Sequence, residues 1–132
     1  MEGLGSCAVS IAKLLVDAKF TSVFTEIPSA LACPEPIVVA AGGFVRDVRM
    51  AEEERGAVTV AVRVVRNVSA NAESAAYACE RALRRARWEE CAEAGQFRIV
   101  ALDTSAPALE LQDKSGRWVW KFEVFLTVVR EI

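Results

Sequence analysis

Residues 117–130 constrain this chain most. Trp118, Trp120, Phe122, Val124, Leu126 and Val128 occupy every second position, and a β-strand sends alternate side chains to opposite faces, so all six stand on one side. The other side mixes Lys121, Glu123 and Thr127 with Val119, Phe125 and Val129. An unbroken apolar row of this length requires a helix layer or a second sheet over it. The same strand closes a hairpin with residues 108–112, because Asp113, Lys114, Ser115 and Gly116 place Asp and Gly where a type I turn favours them.

The cover comes from residues 69–93, the longest helical pattern. Ala72, Ala75, Ala76, Cys79, Ala82, Leu83 and Ala86 recur three and four apart, which places them along one stripe of a helix. Most are small, so the helix axis can approach the sheet closely. Glu80, Arg81, Arg84, Arg85, Arg87, Glu89 and Glu90 are expected outward, with Glu80–Arg84 and Arg85–Glu89 at pairing distance. Ser69 or Asn71 can cap the start, Glu73 suits the positive end of the helix dipole, and Gly95 provides a stop. A first amphipathic helix is expected after Gly5 and Ser6, running to about Lys19, with Cys7 or Ala8, Ile11, Leu14, Leu15 and Ala18 inward and Ser10, Lys13 and Asp17 outward.

Between the helices, residues 20–27 alternate with β-branched content and read as a strand. Pro28, Pro34 and Pro36 break the pattern and leave a loop over 29–35. Residues 37–41 form a short buried strand that resumes over 44–49 after Gly42 and Gly43, a bulge or a turn. Residues 50–56, with Glu52, Glu53, Glu54 and Arg55, read as an exposed hairpin tip, and 58–65 as a strand. After the long helix, 96–103 reads as a strand with Phe97, Ile99 and Ala101 on one face and Arg98, Val100 and Leu102 on the other.

The expected fold is therefore α+β, a mainly antiparallel mixed sheet with one long helix packed on it and an N-terminal helix. At 132 residues the chain is expected to form one domain, 1–132. Its 53% hydrophobic content supplies a core, and 26% charged residues is far from a disordered composition. The net charge of −2 argues against a protein that coats nucleic acid, although twelve of the sixteen basic residues are Arg.

Chemistry finds little support in the residues. The chain has no histidine, and Cys7, Cys33, Cys79 and Cys91 form no CxxC pair, so neither a metal nor another cofactor is expected. With no run approaching ~18 apolar residues, the chain reads as soluble and intracellular, not membrane-embedded, with reduced thiols. The absence of histidine removes Ser/His and Cys/His nucleophile arrangements. There is no GxSxG, GxxxxGK[ST] or GxGxxG, and Gly42-Gly43 lies between strand residues rather than opening a helix. Three consecutive glutamates do not share a face, so they suit a solvated loop better than a carboxylate pair. No catalytic residue is assigned, and the chain is expected not to be an enzyme.

The order of elements, with VTVAVRVV over 58–65 before the long helix and GRWVWKFEVFLTVVR over 116–130 at the end, resembles the tail-terminator and neck (minor capsid, tail-completion) proteins of long-tailed bacteriophages and prophages. The two stretches and their surroundings cover about half of the chain, whereas the proline-rich segment from Pro28 to Pro36 has no counterpart in the comparison. The resemblance implies a structural virion protein that forms a homo-oligomeric ring, a hexamer in that family, at the head–tail junction. Its implied partners are the tail-tube and head-connector proteins, and its implied locations are the host cytoplasm during assembly and the virion.

Two surfaces are candidates for such contacts. Phe44, Arg46, Asp47 and Arg49, next to Glu52, Glu53 and Glu54, mix apolar and paired charges as interface rims do. Arg81, Arg84, Arg85 and Trp88 form a candidate secondary face, weighed against a solvated, ion-paired helix surface. Nucleic acid is not expected as a partner. The alternative reading is a small α+β ligand-binding or regulatory domain that dimerises through the final strand, and a weaker one is a sheet that stacks RNA bases on Trp118 and Trp120.

Overall fold

The computed structural model describes residues 2–49, 52–86, 93–94 and 97–131. Helix α1 (Glu2–Asp17) is followed by β1 (Val23–Phe24), β2 (Ile37–Arg49) and β3 (Glu53–Arg66), then helix α2 (Ser69–Arg85), β4 (Glu93–Ala94), β5 (Phe97–Thr104), β6 (Ala108–Gln112) and β7 (Trp118–Glu131). The α+β class is as the pattern requires, with the two helices nearly equal in length at 16 and 17 residues.

The seven strands form a mixed sheet ordered β1-β2-β3-β7-β5-β4, with β6 also on β7. Among the described residues only the short β1–β2 pairing is parallel. Strand β7 is the centre: β3 runs along one side from Arg66↔Trp118 to Glu53↔Glu131, and β6 and β5 share the other. Ser105 bridges the step between β5 and β6. Its N–H donates to the Glu123 carbonyl at 2.9 Å, and its Oγ accepts from the Glu123 N–H at 2.8 Å, so the ladder survives the interruption.

Both helices lie on the same sheet face. Phe122, Val124, Leu126 and Val128 from β7 and Val58, Val60, Val62 and Val64 from β3 are buried there beneath Ala76, Cys79 and Leu83 of α2 and Ile11 and Leu15 of α1. The even-numbered row of β7 is thus the core, as its period demanded. Trp118 and Trp120, at the end of the row, are only half-buried, and Trp120 Nε1 donates to Ser69 Oγ at 3.3 Å.

Several local expectations are corrected. Helix α1 starts at Glu2 and ends at Asp17 rather than running from about residue 7 to Lys19. It closes with Phe20 N–H on Leu15 O and Lys19 N–H on Val16 O, both near 3 Å, with Lys19 left-handed at φ 74. This is a Schellman closure with lysine at the position glycine usually takes. Phe20 is consumed by that cap and Ser22 is also left-handed at φ 58, so the strand expected over 20–27 shrinks to Val23–Phe24.

Helix α2 ends at Arg85, well before residue 93, because Ala86 is extended (φ −70, ψ 153) and packs against the core. Its N-cap is Val68 with no side-chain cap, not Ser69 or Asn71. The expected stop at Gly95 lies outside the described residues. The glycine pair is a bulge inside one continuous strand, β2, where the register with β3 shifts between Ala41 and Phe44.

In β5 a bulge between Ile99 and Ala101 breaks the expected alternation. Ile99 remains buried, but it is Leu102 that next packs on the core, and Ala101 faces water. The β6–β7 turn has the expected chemistry. Asp113 Oδ1 accepts from the N–H groups of Ser115 and Arg117 at 3.0 and 2.9 Å, and Gly116 adopts φ 84.

Candidate assembly surfaces

The tip of the β2–β3 hairpin is built around a carboxylate that the sequence reading left in solvent. Glu54 is 5% exposed, because β3 begins at Glu53 and Glu54 shares the parity of Val58 and Val60, which faces the helices. Arg130 of β7 lies directly beside Glu54 in the ladder and its guanidinium pairs with Glu54 Oε1. Arg46 Nη1 approaches Oε2 at 3.8 Å. The Arg130 guanidinium also sits 4.9 Å from the centroid of the Phe44 ring, in cation–π range.

Gly56 makes room for that ring. A methyl group at Gly56 would overlap the Val45 carbonyl oxygen and lie 2.7 Å from Phe44 Cε2, so the strand tolerates only glycine where the ring crosses it. Of the four residues of the candidate interface, Phe44 and Arg46 therefore belong to one ion cluster centred on Glu54. Asp47 and Arg49 are exposed, Arg49 opposite Glu54 in the β2–β3 ladder. The expected exposed loop over 50–56 is corrected accordingly: 53–56 is strand, with its even positions inward.

On α2, Arg81, Arg84 and Arg85 are exposed as expected, and Trp88 lies outside the described residues. Glu80 does not face outward. It is 8% exposed, accepts from Thr104 Oγ1 at 2.8 Å and pairs with Arg84 Nε at 2.7 Å. The expected pair is real, but its acidic partner works inward and ties α2 to β5. Arg84 is thereby neutralised, leaving Arg81 and Arg85 as outward basic residues among the described residues of this face; the last-turn position of Arg84 and Arg85 also suits the helix dipole.

The sheet face away from the helices has no covering element among the described residues over its middle. Ala57 and Phe125 are exposed there, with Thr59 and Thr127 half-buried, and Thr59 and Asp103 flank Phe125 in the ladder. The two tryptophans of β7 stand on the opposite, helix-covered face, so the stacking platform considered for Trp118 and Trp120 is not on the open face. Strand β7 is paired on both sides along its length, so a contact through this strand has its faces and not its edges to use. Among the described residues, open edges include those of β2 beyond Val38, of β5 beyond Arg98 and of β6, besides the outer sides of the two-residue strands β1 and β4.

The buried thiols are chemically quiet. Burial pushes Cys7 up to about 11 and Cys79 up to about 12, the latter against a small opposing effect of the Arg66 charge. Both are protonated at neutral pH and serve as small core residues.

A comparison with family models finds no match, and a comparison with curated proteins finds none either. Among solved structures the fold matches a chain of the virion of a native gene transfer agent particle, with a TM-score of 0.55 and 17% identity over 92% of this chain and 84% of that chain. At that identity the likeness is one of fold.

Proposed function

We propose that this chain is a structural component of a phage or prophage particle, related in role to the tail terminator, which acts by assembling into a ring at the head–tail junction. The observation that carries this reading is the likeness to a gene transfer agent virion chain over nearly the whole length of both proteins. It agrees with the resemblance of the strand–helix–hairpin order to neck proteins. The partners on this reading are further copies of the chain and the tail-tube and head-connector proteins, with assembly in the host cytoplasm and residence in the virion. No catalytic step is assigned. The work is done by surfaces that hold subunits in register, where shape and area matter more than reactive groups.

The β2–β3 tip is the proposed ring contact. The Glu54–Arg130–Phe44 cluster ties β2, β3 and β7 together near this end of the strands, and Val45, 68% exposed, stands there with Asp47 and Arg49 on an open edge. Arg46 is a poor residue for a charge-reversal test because Glu54 needs it. The pair Asp47→Lys and Arg49→Glu reverses two exposed charges and spares Phe44, Arg46 and Arg130; because Arg49 lies opposite Glu54 in the ladder, an unchanged thermal melt is required beside it. Sedimentation velocity at several concentrations, with electron microscopy of the largest species, is expected to show rings for the native chain and smaller species for the double variant. An identical distribution for both proteins removes the tip from the interface.

A further inference from the structure

We propose that Leu31 anchors a two-fold contact between copies of this chain, each copy seating its leucine in an apolar cavity of the other. The inference goes beyond the ring assignment, since it concerns the opposite end of the strands from the Phe44 tip and stands on a loop and a cavity alone.

Leu31 is 100% exposed, and Ile27 beside it is 79% exposed. The loop that displays them is held firmly. Ser29 accepts from the N–H groups of Ala32 and Cys33 at 3.1 and 3.0 Å, and its Oγ takes a further bond from Ala32. Arg117 Nη1 donates to the Pro34 carbonyl at 3.0 Å, Arg66 Nη1 donates to the Glu35 carbonyl at 2.9 Å, and Glu35 Oε2 accepts from the Asn67 N–H at 2.9 Å. Pro28, Pro34 and Pro36 fix three φ angles in the same stretch. A leucine on so constrained a loop loses little conformational freedom on binding, which is what an interface anchor requires.

At the base of the loop, Pro36, Val38, Val65 and Val119 floor a cavity of about 250 Å³ with Ile27 at its lip. Its rim charges cancel internally. Arg63 holds Glu110 through two bonds at 2.8 and 3.3 Å, and Arg117 holds Asp113 at 2.8 Å. A phosphate or a charged peptide would have to break those pairs, whereas an uncharged aliphatic side chain would not. The volume lies below the ~300 Å³ at which small-molecule pockets begin, and suits one aliphatic side chain.

The chain itself carries the matching group. Residues 27–34 contain no charge, and Leu31 lies four residues from the cavity lip, no more than about 14 Å along the chain. Knob and hole thus form one patch, and a patch that is its own complement pairs by a two-fold axis.

Sedimentation equilibrium from about 1 μM to about 1 mM, the range of weak to moderate self-association, tests it. In the Asp47→Lys, Arg49→Glu background, which removes the ring contact, the chain with Leu31 and its Leu31→Met variant are expected to dimerise, and Leu31→Asp to do so at least about tenfold more weakly with an unchanged circular dichroism spectrum. In a Cys33→Ser background, a mixture of mass-tagged Leu31→Cys and Ile27→Cys proteins is expected to form the mixed disulfide on oxidation. Unaltered association of Leu31→Asp, a native monomer across the whole range, or absence of the mixed disulfide overturns the inference. Association lost in the Asp47→Lys, Arg49→Glu variant but retained in Leu31→Asp keeps the ring contact and overturns only this one.

Discussion

Leu83 sits at 0% exposure where the last turns of α2 meet the sheet, within the cluster that includes Val60, Val62, Phe122 and Val124. Truncation to alanine removes three carbons, about 2.4 kcal/mol at roughly 0.8 kcal/mol per methylene. Because α2 is pinned to β5 through Glu80 and Thr104, the helix cannot sink into the space, and a cavity cost brings the expected loss to about 3 kcal/mol. With 132 residues and an unfolding entropy of roughly 2.1 cal/mol/K per residue, that corresponds to a fall in Tm of about 10 °C. Leu83→Asp places an unpaired charge in the same spot and is expected to unfold the domain. Thermal melts followed by circular dichroism measure both, with Arg81→Ala on the exposed face of the same helix as the control, expected within about 0.5 kcal/mol of native. A Leu83→Ala melt within about 3 °C of native would refute the packing of α2 on β3 and β7.

Gly56→Ala is expected to cost about 1–3 kcal/mol, read as a lower urea midpoint at unchanged slope, because the methyl meets the Val45 carbonyl and the Phe44 ring; a native midpoint would show that the ring does not cross the strand there. Cys79 has a folded pKa raised from 9.0 to about 12, so its contribution is complete below about pH 9 and is lost as pH rises toward 12. Urea melts should weaken over that window by up to about 1.4 kcal/mol per pH unit from this thiol, and Cys79→Ala should flatten the slope, leaving the smaller share from Cys7. Anisotropy titrations with duplex and single-stranded DNA at physiological salt are expected to give no binding tighter than about 1 μM; tighter binding would make the Arg81 and Arg85 face a functional site.

What could be read from the sequence was what local periodicity carries. The even row of β7, the valines of β3 and the small-residue stripe of α2 each announced one buried face, and a sheet with one helix-covered face follows from any two of them. The turn at Asp113 to Gly116 was equally legible, since its chemistry is contained in four residues. Parity alone also carries the burial of Glu54 and Gly56, which continue the inward positions of Val58 and Val60. Three adjacent glutamates masked it, because a charged run resembles a solvated loop when its partner is far away in the chain.

The sequence by itself determined the class of fold, the inward rows of β3 and β7 with the small-residue stripe of α2, and the absence of histidine chemistry, because each depends on neighbours within a few residues. Only the tertiary structure decided the rest. Arg130 reaches Glu54 across 76 positions, Thr104 reaches Glu80 across 24, and Arg117 holds the loop at Pro34 across 83. Bulges at Gly42-Gly43 and before Ala101 depend on where the partner strand runs, and the place of β7 at the centre of the sheet rather than at an edge depends on both neighbours at once. Pairings of such sequence separation leave no periodic trace, since the energy that selects them resides in contacts formed only after the chain has folded.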